Sequence, residues 1–292
     1  MSTPDTAFVR QYQSTITILA QQMKSVLRDC VMVDNDFKGE KKFYEQYASD
    51  DLVEIMSRYA DTPVQLPDHR RRMVTPRYFV GNTLEDPKDA LQMLIDPKSA
   101  YMQGKQSAAA RKVDDQIITA FNATAYTGKD GTTTQAFAAA NQVAVTYGSG
   151  TSNSGMTKKK VLRAKKILDD GNVEEEDRYA ATKPAQLEDL LNTTEVTSGD
   201  YNVVRTLVQG EINTWVGFMW KKSTRLLNNG SSHRLCYFWQ KKAMQLAIMK
   251  EAEGRVTERP DKNYAWQVYL RICLGATRLE EERIVEVACA ES

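Results

Sequence analysis

The stretch Asp96–Gly128 constrains the chain most, because it reads as one long helix. Asp96 is placed to cap the first free amides, Pro97 suits the first helical position, and Gly128 can take the left-handed conformation that stops a helix. Ala109, Val113, Ile117, Phe121 and Ala125 recur four apart, with Ile118 and Ala120 widening the stripe. Arg111, Lys112, Asp115 and Gln116 fall on the other side. At about 1.5 Å per residue, the span 97–126 predicts a rod of roughly 45 Å, longer than a typical globular helix. Gly104 marks a weak point near its start. Periodicity alone predicts a core helix, so its meaning rests on the neighbourhood.

The 292 residues suffice for one large domain or two small ones. With 39 basic against 38 acidic side chains, the chain lacks the basic excess of an electrostatic nucleic-acid binder. Cys30, Cys236, Cys273 and Cys289 are widely spaced, fit no metal pattern and suit reduced thiols. No apolar run approaches a membrane span and no signal peptide opens the chain. The N-x-S/T matches at Asn122, Asn192 and Asn229 therefore carry little.

Before the long helix, the pattern of Phe8, Tyr12, Ile16, Leu19, Met23, Val26 and Cys30 predicts a helix over 6–30, capped by Asp5 or Thr6 behind Pro4. The character then changes. Residues 53–59 and 73–80 read as strands, with Pro63, Pro67 and Pro76 breaking the runs and residues 60–69 forming a hairpin tip. Lys38, Lys41, Lys42, Arg58 and the triplet Arg70, Arg71, Arg72 interleave there with Asp34, Asp36, Asp50, Asp51, Asp61 and Asp68. So long an excursion with so few large aliphatic residues cannot easily build its own core, which leaves a floppy insertion or, the favoured reading, an arm stabilised by contact with another molecule.

Beyond the long helix, residues 129–155 are rich in Gly, Thr, Ser and Ala and read as a soft junction, with a strand expected only over 142–147. Helices are expected at 158–170, 184–191 and 200–209. Strands are expected at 179–182, 212–220, 264–274 and 283–289, with 226–234 a polar turn region and 235–249 ambiguous between strand and helix.

Few constellations point to chemistry. Residues 150–157 (GTSNSGMT) have the glycine spacing of a phosphate loop, but Met156 stands where the phosphate-reaching lysine belongs, which leaves a flexible junction as the reading. His69 and His233 lack partners at metal-ligand spacing, and no G-x-S-x-G or H-E-x-x-H occurs. The acid pair Asp114–Asp115 and the run Glu280–Glu282 read as solvated faces, and the four tryptophans read as core. No catalytic, cofactor-binding or metal-ligating residue is assigned.

Taken in order, the segments 68–74 (DHRRRMV), 86–87 (DP), 96–101 (DPKSAY), 109–118 (AARKVDDQII), 164–168 (AKKIL) and 183–191 (KPAQLEDLL) form a familiar sequence of parts. Residues 210–212 (GEI) with Gly217 and Phe218, then 275–278 (GATR) and 284–287 (IVEV), complete it. Together they resemble the tailed-bacteriophage major capsid proteins of the Hong Kong 97-type fold. The resemblance implies an α+β fold with a helical N-terminal arm (1–32), an extended E-loop (33–80), a P-domain (81–154) holding the spine helix 97–126, an A-domain (155–254) and P-domain return strands (255–292). It implies a shell protein that self-assembles into hexamers and pentamers of an icosahedral head around double-stranded DNA. The expected partners are a separate scaffolding protein, since no propeptide-like coiled coil precedes the arm, a portal, and a decoration or cement protein, with no membrane. Assembly is expected in the cytoplasm of a bacterial host, ending in the virion. Lys38, Lys41, Lys42, Arg58, Arg70, Arg71 and Arg72 are the expected inter-subunit contacts. The best-known family member carries a lysine–asparagine cross-link between subunits, but nothing here identifies an acceptor. An encapsulin-like nanocompartment shell, a gene-transfer-particle shell and an unrelated soluble enzyme are the alternatives.

Overall fold

The computed structural model describes residues 19–291 apart from 49–50, 60, 63, 65, 67, 87–97, 194–213 and 231–232. The chain divides into two compact units. One comprises Met1–Lys24, Tyr78–Arg111 and Lys250–Cys273; the other comprises Ser25–Arg77, Lys112–Met249 and Leu274–Ser292.

In the first unit, strand β4 (Arg77–Glu85) joins parts of two long strands, β12 (Met244–Arg259) and β13 (Ala265–Arg278), in the order β12-β13-β4. Helix α1 (Lys98–Asn122) meets this sheet near its start, Met102 facing Gly254 of β12 and Lys105 facing Gly81 of β4. A side chain at Gly254 would meet Met102 Sδ at 2.5 Å, so bare backbone in β12 is what admits the helix. On the strands, Glu253 binds Arg271 at 2.7 Å, Arg255 at 2.8 Å and Lys250 at 3.1 Å. Arg111 Nη1 donates to Gln21 Oε1 at 2.7 Å and ties the preceding segment to the helix.

The second unit is built on a six-stranded sheet, β7-β14-β11-β8-β10-β9. Its strands are β7 (Gln142–Val143), β8 (Arg178–Thr182), β9 (Thr214–Trp215), β10 (Phe218–Lys222), β11 (His233–Gln240) and β14 (Ile284–Ala290). β11 pairs antiparallel with β14, Cys236 opposite Val287, and is buried from Leu235 to Gln240. Burial on both faces explains why its apolar run hid the strand alternation. Phe121 of α1 stacks on Tyr237 at 4.6 Å and lies 4.9 Å from Trp239. Helix α2 (Lys158–Asp170) runs beside β14 and buries Val161, Ala164 and Leu168, while α3 (Pro184–Thr193) follows β8. Four short strands, β2 (Lys42–Tyr47), β3 (His69–Val74), β5 (Ala125–Thr127) and β6 (Thr133–Gln135), form a separate sheet in that order. β1 (Met32–Asp34) pairs in parallel with the start of β12.

The predicted apolar stripe is the buried one: Ala109, Val113, Ile117, Ile118, Ala120 and Phe121 are all in the core. Phe121 at its end packs on β11, in the sheet that also holds the closing strand β14. The helix also stops at Asn122, and Gly128 instead turns the chain between β5 and β6 with φ +90°. Pairing of Arg72 and Met73 with Thr127 and Tyr126 takes those residues into a sheet.

The helix expected over 6–30 lies outside the described residues up to 18, and 19–30 is not helical apart from a short 3-10 turn at Arg28–Cys30. The reason is local. The Asp114 carboxylate accepts from Val26 N (3.0 Å) and Leu27 N (3.1 Å), the amides a helix would have used. No strand forms at 53–59, where the chain has no neighbouring strand to pair with, and the run 73–80 is split at Thr75–Pro76, because proline offers no ladder donor. The helix expected at 200–209 lies outside the described residues.

Candidate functional site: the arm and its root

β2 and β3 form an antiparallel hairpin, Lys42 opposite Val74 and Tyr47 opposite His69. Between them the chain runs out as an extended excursion. Leu52, Met56 and Tyr59 are 89% or more exposed, and Val53, Ile55, Val64 and Leu66 are exposed as well. Seven large apolar side chains on one segment without a core of their own exceed the scattered apolar exposure of a monomer surface. Sequence reasoning undercounted this tip. The signal lies in Leu52 and in Val53, Ile55 and Met56 of the expected 53–59 strand.

The seven predicted contact cations do not form one cluster. Lys38 is exposed and pairs with Asp36 at 3.2 Å. Lys41 and Arg58 are exposed and form no ion pair among the described residues. Lys42 binds Asp34 at 2.5 Å, and Tyr44 Oη donates to the same carboxylate at 2.6 Å. Burial pushes Asp34 up, but the Lys42 and Tyr44 bonds outweigh it and hold its carboxyl below the usual range. Tyr44 is raised, first by burial and then by Asp34. Arg70 lies 3.4 Å from Asp68, and Arg71 pairs across the hairpin with Glu45 at 2.7 Å.

Arg72 departs from the expectation of an exposed triplet. It is 4% exposed, because the side chain enters the core beneath the hairpin. Its Nε donates to the Leu279 carbonyl at 2.9 Å, and Nη2 lies 3.7 Å from Glu281. Glu281 is also buried. It accepts from Arg278 Nη2 at 3.2 Å and from Gln135 Nε2 at 2.9 Å. Arg278 in turn donates to the carbonyls of Phe121 and Ala123. The arm's return strand thus reaches the end of α1 through two arginines and one carboxylate. Glu281 is thus buried, against the solvated face that the run Glu280–Glu282 predicts.

The acid pair on α1 likewise departs from the predicted solvated face. Asp114 is fully buried, and Asp115 takes a two-pronged bond from Arg225 at 2.5 and 2.7 Å. The near-miss loop at 150–157 is a packing joint rather than a loose junction. Thr157 caps α2, and a side chain at Gly155 would fall 2.1 Å from Asp189. Buried Lys160 donates to the carbonyls of Ser154, Gly155 and Ala288 at 2.7, 3.0 and 3.0 Å, which satisfies all three ammonium hydrogens. Burial pushes its pKa down.

Among the described residues no group of His, Cys, Asp and Glu is arranged to hold a metal, and no helix is long and apolar enough to cross a membrane. The four cysteines are buried free thiols.

The chain thus combines an extensive buried core with an arm whose large apolar side chains lie exposed. The sequence matches the family model for phage capsid protein over residues 5–291, and the chain belongs to that family. Its role is that of a major capsid protein, a structural component of a phage shell. No curated protein sequence matches the chain. Solved structures show the same fold across nearly its whole length. The capsid of Cyanophage P-SCSP1u aligns with TM-score 0.76 at 16% identity, covering 99% of this chain and 94% of that one. Mycobacterium phage Che8 aligns with TM-score 0.70 at 14% identity over 96% and 97%, and the capsid of a native GTA particle with 0.67 at 11% over 97% and 95%. The Hong Kong 97-type α+β architecture expected from the sequence is the one observed.

Proposed function

We propose that the chain forms hexamers and pentamers that close an icosahedral head around double-stranded DNA, with the arm 33–80 laid on a neighbouring subunit as the E-loop. The carrying observation is the exposed apolar tip, seven large side chains that only a second molecule can bury. Residues 1–32 then serve as the N-terminal arm, 81–154 and 255–292 as the peripheral domain and 155–254 as the axial domain. Lys38, Lys41, Arg58, Arg70 and Arg71 sit at the rim of the arm contact. There, charge governs register and salt sensitivity more than affinity. The protein's place is the virion, reached by assembly in the host cytoplasm with a separate scaffolding protein, a portal and a decoration or cement protein. The family role is structural rather than enzymatic.

The test is light scattering and negative-stain microscopy of the purified protein beside Leu52→Ser/Met56→Ser. Wild type should give capsomers, sheets or shells, and the double variant a folded subunit without particles. A wild-type 33.0 kDa monomer that never assembles at any concentration or salt defeats the reading. The match to a GTA particle supports a second reading, a gene-transfer shell of the same build, and the nucleic acid recovered from particles made in the native host separates the two.

A further inference from the structure

The charges of helix α2 and the loop after it are sorted along the chain. Residues 158–166 hold six basic side chains and no acid, and residues 169–177 hold six acids and no base. This order opposes the helix dipole, which favours acids at the start of a helix and cations at its end, so helix stability does not account for it. Part of the charge is used within the subunit. Lys160 is buried on its three carbonyls, Asp169 pairs with Arg178, and Glu174 takes both Lys242 and Arg283. What is left forms two patches. Lys159, Arg163 and Lys166 recur at helical spacing along the outward face of α2. Lys159 reaches only the Gly148 carbonyl, at 3.4 Å, and Arg163, Lys165 and Lys166 form no ion pair among the described residues. Leu162 shares that face and Tyr147 lies beside it, its ring centroid 5.9 Å from Arg163; the two are 46% and 41% exposed. At the other end Asp170, Glu175, Glu176 and Asp177 are exposed and form no ion pair among the described residues. Their loop is pinned: buried Arg178 donates to the carbonyls of Val173 and Glu174, and the Lys241 amide donates to the Asp177 carbonyl at 3.0 Å. Lys159 and Asp170 stand about 16 Å apart along the helix, too far to pair. Lys166 and Asp170 are one turn apart, in the less favourable order for such a pair.

We propose that these patches are the two halves of one contact between copies of the chain: the basic face of α2 on one copy meets Asp170 and the acidic loop 175–177 of the next copy around a capsomer. The proposal rests on the reading above, that the chain forms rings of five and six. A closed ring requires every copy to carry two different and complementary surfaces, and the charge-sorted stretch supplies such a pair on one chain. The partner is a protein surface rather than a nucleic acid. A nucleic acid following the helix would meet four unpaired carboxylates within about 16 Å, and it would leave Leu162 and Tyr147 without an apolar cover. Opposite charge across the contact also selects its direction, because a copy placed the other way round brings like charges together.

The experiment compares wild type with Lys159→Glu/Arg163→Glu/Lys166→Glu, with Asp170→Lys/Glu175→Lys/Glu176→Lys, and with a chain carrying both sets. None should lower the melting temperature of the dilute, unassembled subunit, since the reversed charges are exposed and suit the helix dipole better at its two ends. Each single set should raise the critical concentration for assembly about tenfold or more, and the chain carrying both should bring it back. A mixture of the two single-set chains should restore rings of six, in which they alternate, but not rings of five, so that sheets or tubes replace closed shells. Normal assembly of either single-set chain overturns the proposal, and so does a folded chain carrying both sets that stays defective. Closed shells from the mixture also overturn it, because they place the contact on a two-fold axis instead of around a ring. If the basic reversal assembles normally but no longer retards a short DNA duplex that wild type retards, the face is a nucleic-acid contact. Loss of particles in Leu52→Ser/Met56→Ser alongside normal assembly of the reversed chains keeps the arm reading and removes only this contact, whereas a wild type that never assembles removes both.

Discussion

Arg278 Nη1 donates at 2.9 Å to the carbonyl of Phe121, a residue 157 positions earlier, and so finishes the long helix from outside it. The helix has no basic residue in its last turn, and its terminal carbonyls would otherwise be left without donors. A cation delivered by a distant strand supplies the cap that the local sequence lacks, at the end where the helix dipole favours positive charge.

Removing that cation is expected to be severe. Arg278→Ala removes the donor to the carbonyls of Phe121 and Ala123 and one of the two hydrogen bonds to the buried Glu281 carboxylate, and should cost about 3–5 kcal/mol in denaturant unfolding of the dilute subunit. Arg278→Lys retains the charge but only a point donor, and should lose less. Hydrogen exchange should show faster opening of the amides near Ile118–Asn122 in both variants.

Phe121→Ala should cost about 3–5 kcal/mol, since the ring is fully buried between Tyr237 and Trp239. Phe121→Leu keeps much of the volume and should cost distinctly less. Equal unfolding midpoints for Phe121→Ala and wild type would place the helix on another face.

The helix stripe was legible because a 3.6-residue period survives whatever the helix packs against, and the pairing of β11 with β14 was half legible for the opposite reason. The 283–289 strand shows its apolar run plainly. β11 could not be told from a helix, because a strand buried on both faces has no alternation. The arm root was illegible. Arg70, Arg71 and Arg72 look alike in sequence, and only strand register sends Arg72 inward toward Glu281. Asp114 and Asp115 failed similarly, since their partners at residues 25–27 and 225 lie about 90 and 110 positions away.

The arginine triplet should therefore separate into two behaviours. Arg70→Glu and Arg71→Glu should each change subunit stability by about 1 kcal/mol or less, because exposed pairs contribute little. Arg72→Glu should unfold the subunit or cost several kcal/mol, because it sets a second buried carboxylate beside Glu281. Circular dichroism with urea titration distinguishes the three variants without any assembly.

Acid stability should depend in part on Glu291. Bonds from Arg234 and Lys183 hold its carboxyl down at about 2, against an ordinary value of 4.5. The contribution is thus fully present above about pH 4.5 and is lost as pH falls toward 2. With 24% of the side chain exposed, solvent screening limits it to about 1 kcal/mol or less. Glu291→Gln should lower the melting temperature slightly at pH 6 and flatten its decline between pH 4.5 and pH 2. An unchanged slope would show that the pair does not persist in solution.

Asp114 and Asp115 hold different parts of the chain from successive positions of one helix, the first gripping the amides of Val26 and Leu27, the second the guanidinium of Arg225. Successive helical residues point about 100° apart, so two such grips act on the helix like a key in a slotted shaft. Neither bond survives if α1 rolls about its own axis by a fraction of a turn. Whatever reshaping the subunit undergoes, this part of the helix can carry its two passengers along but cannot spin without losing both.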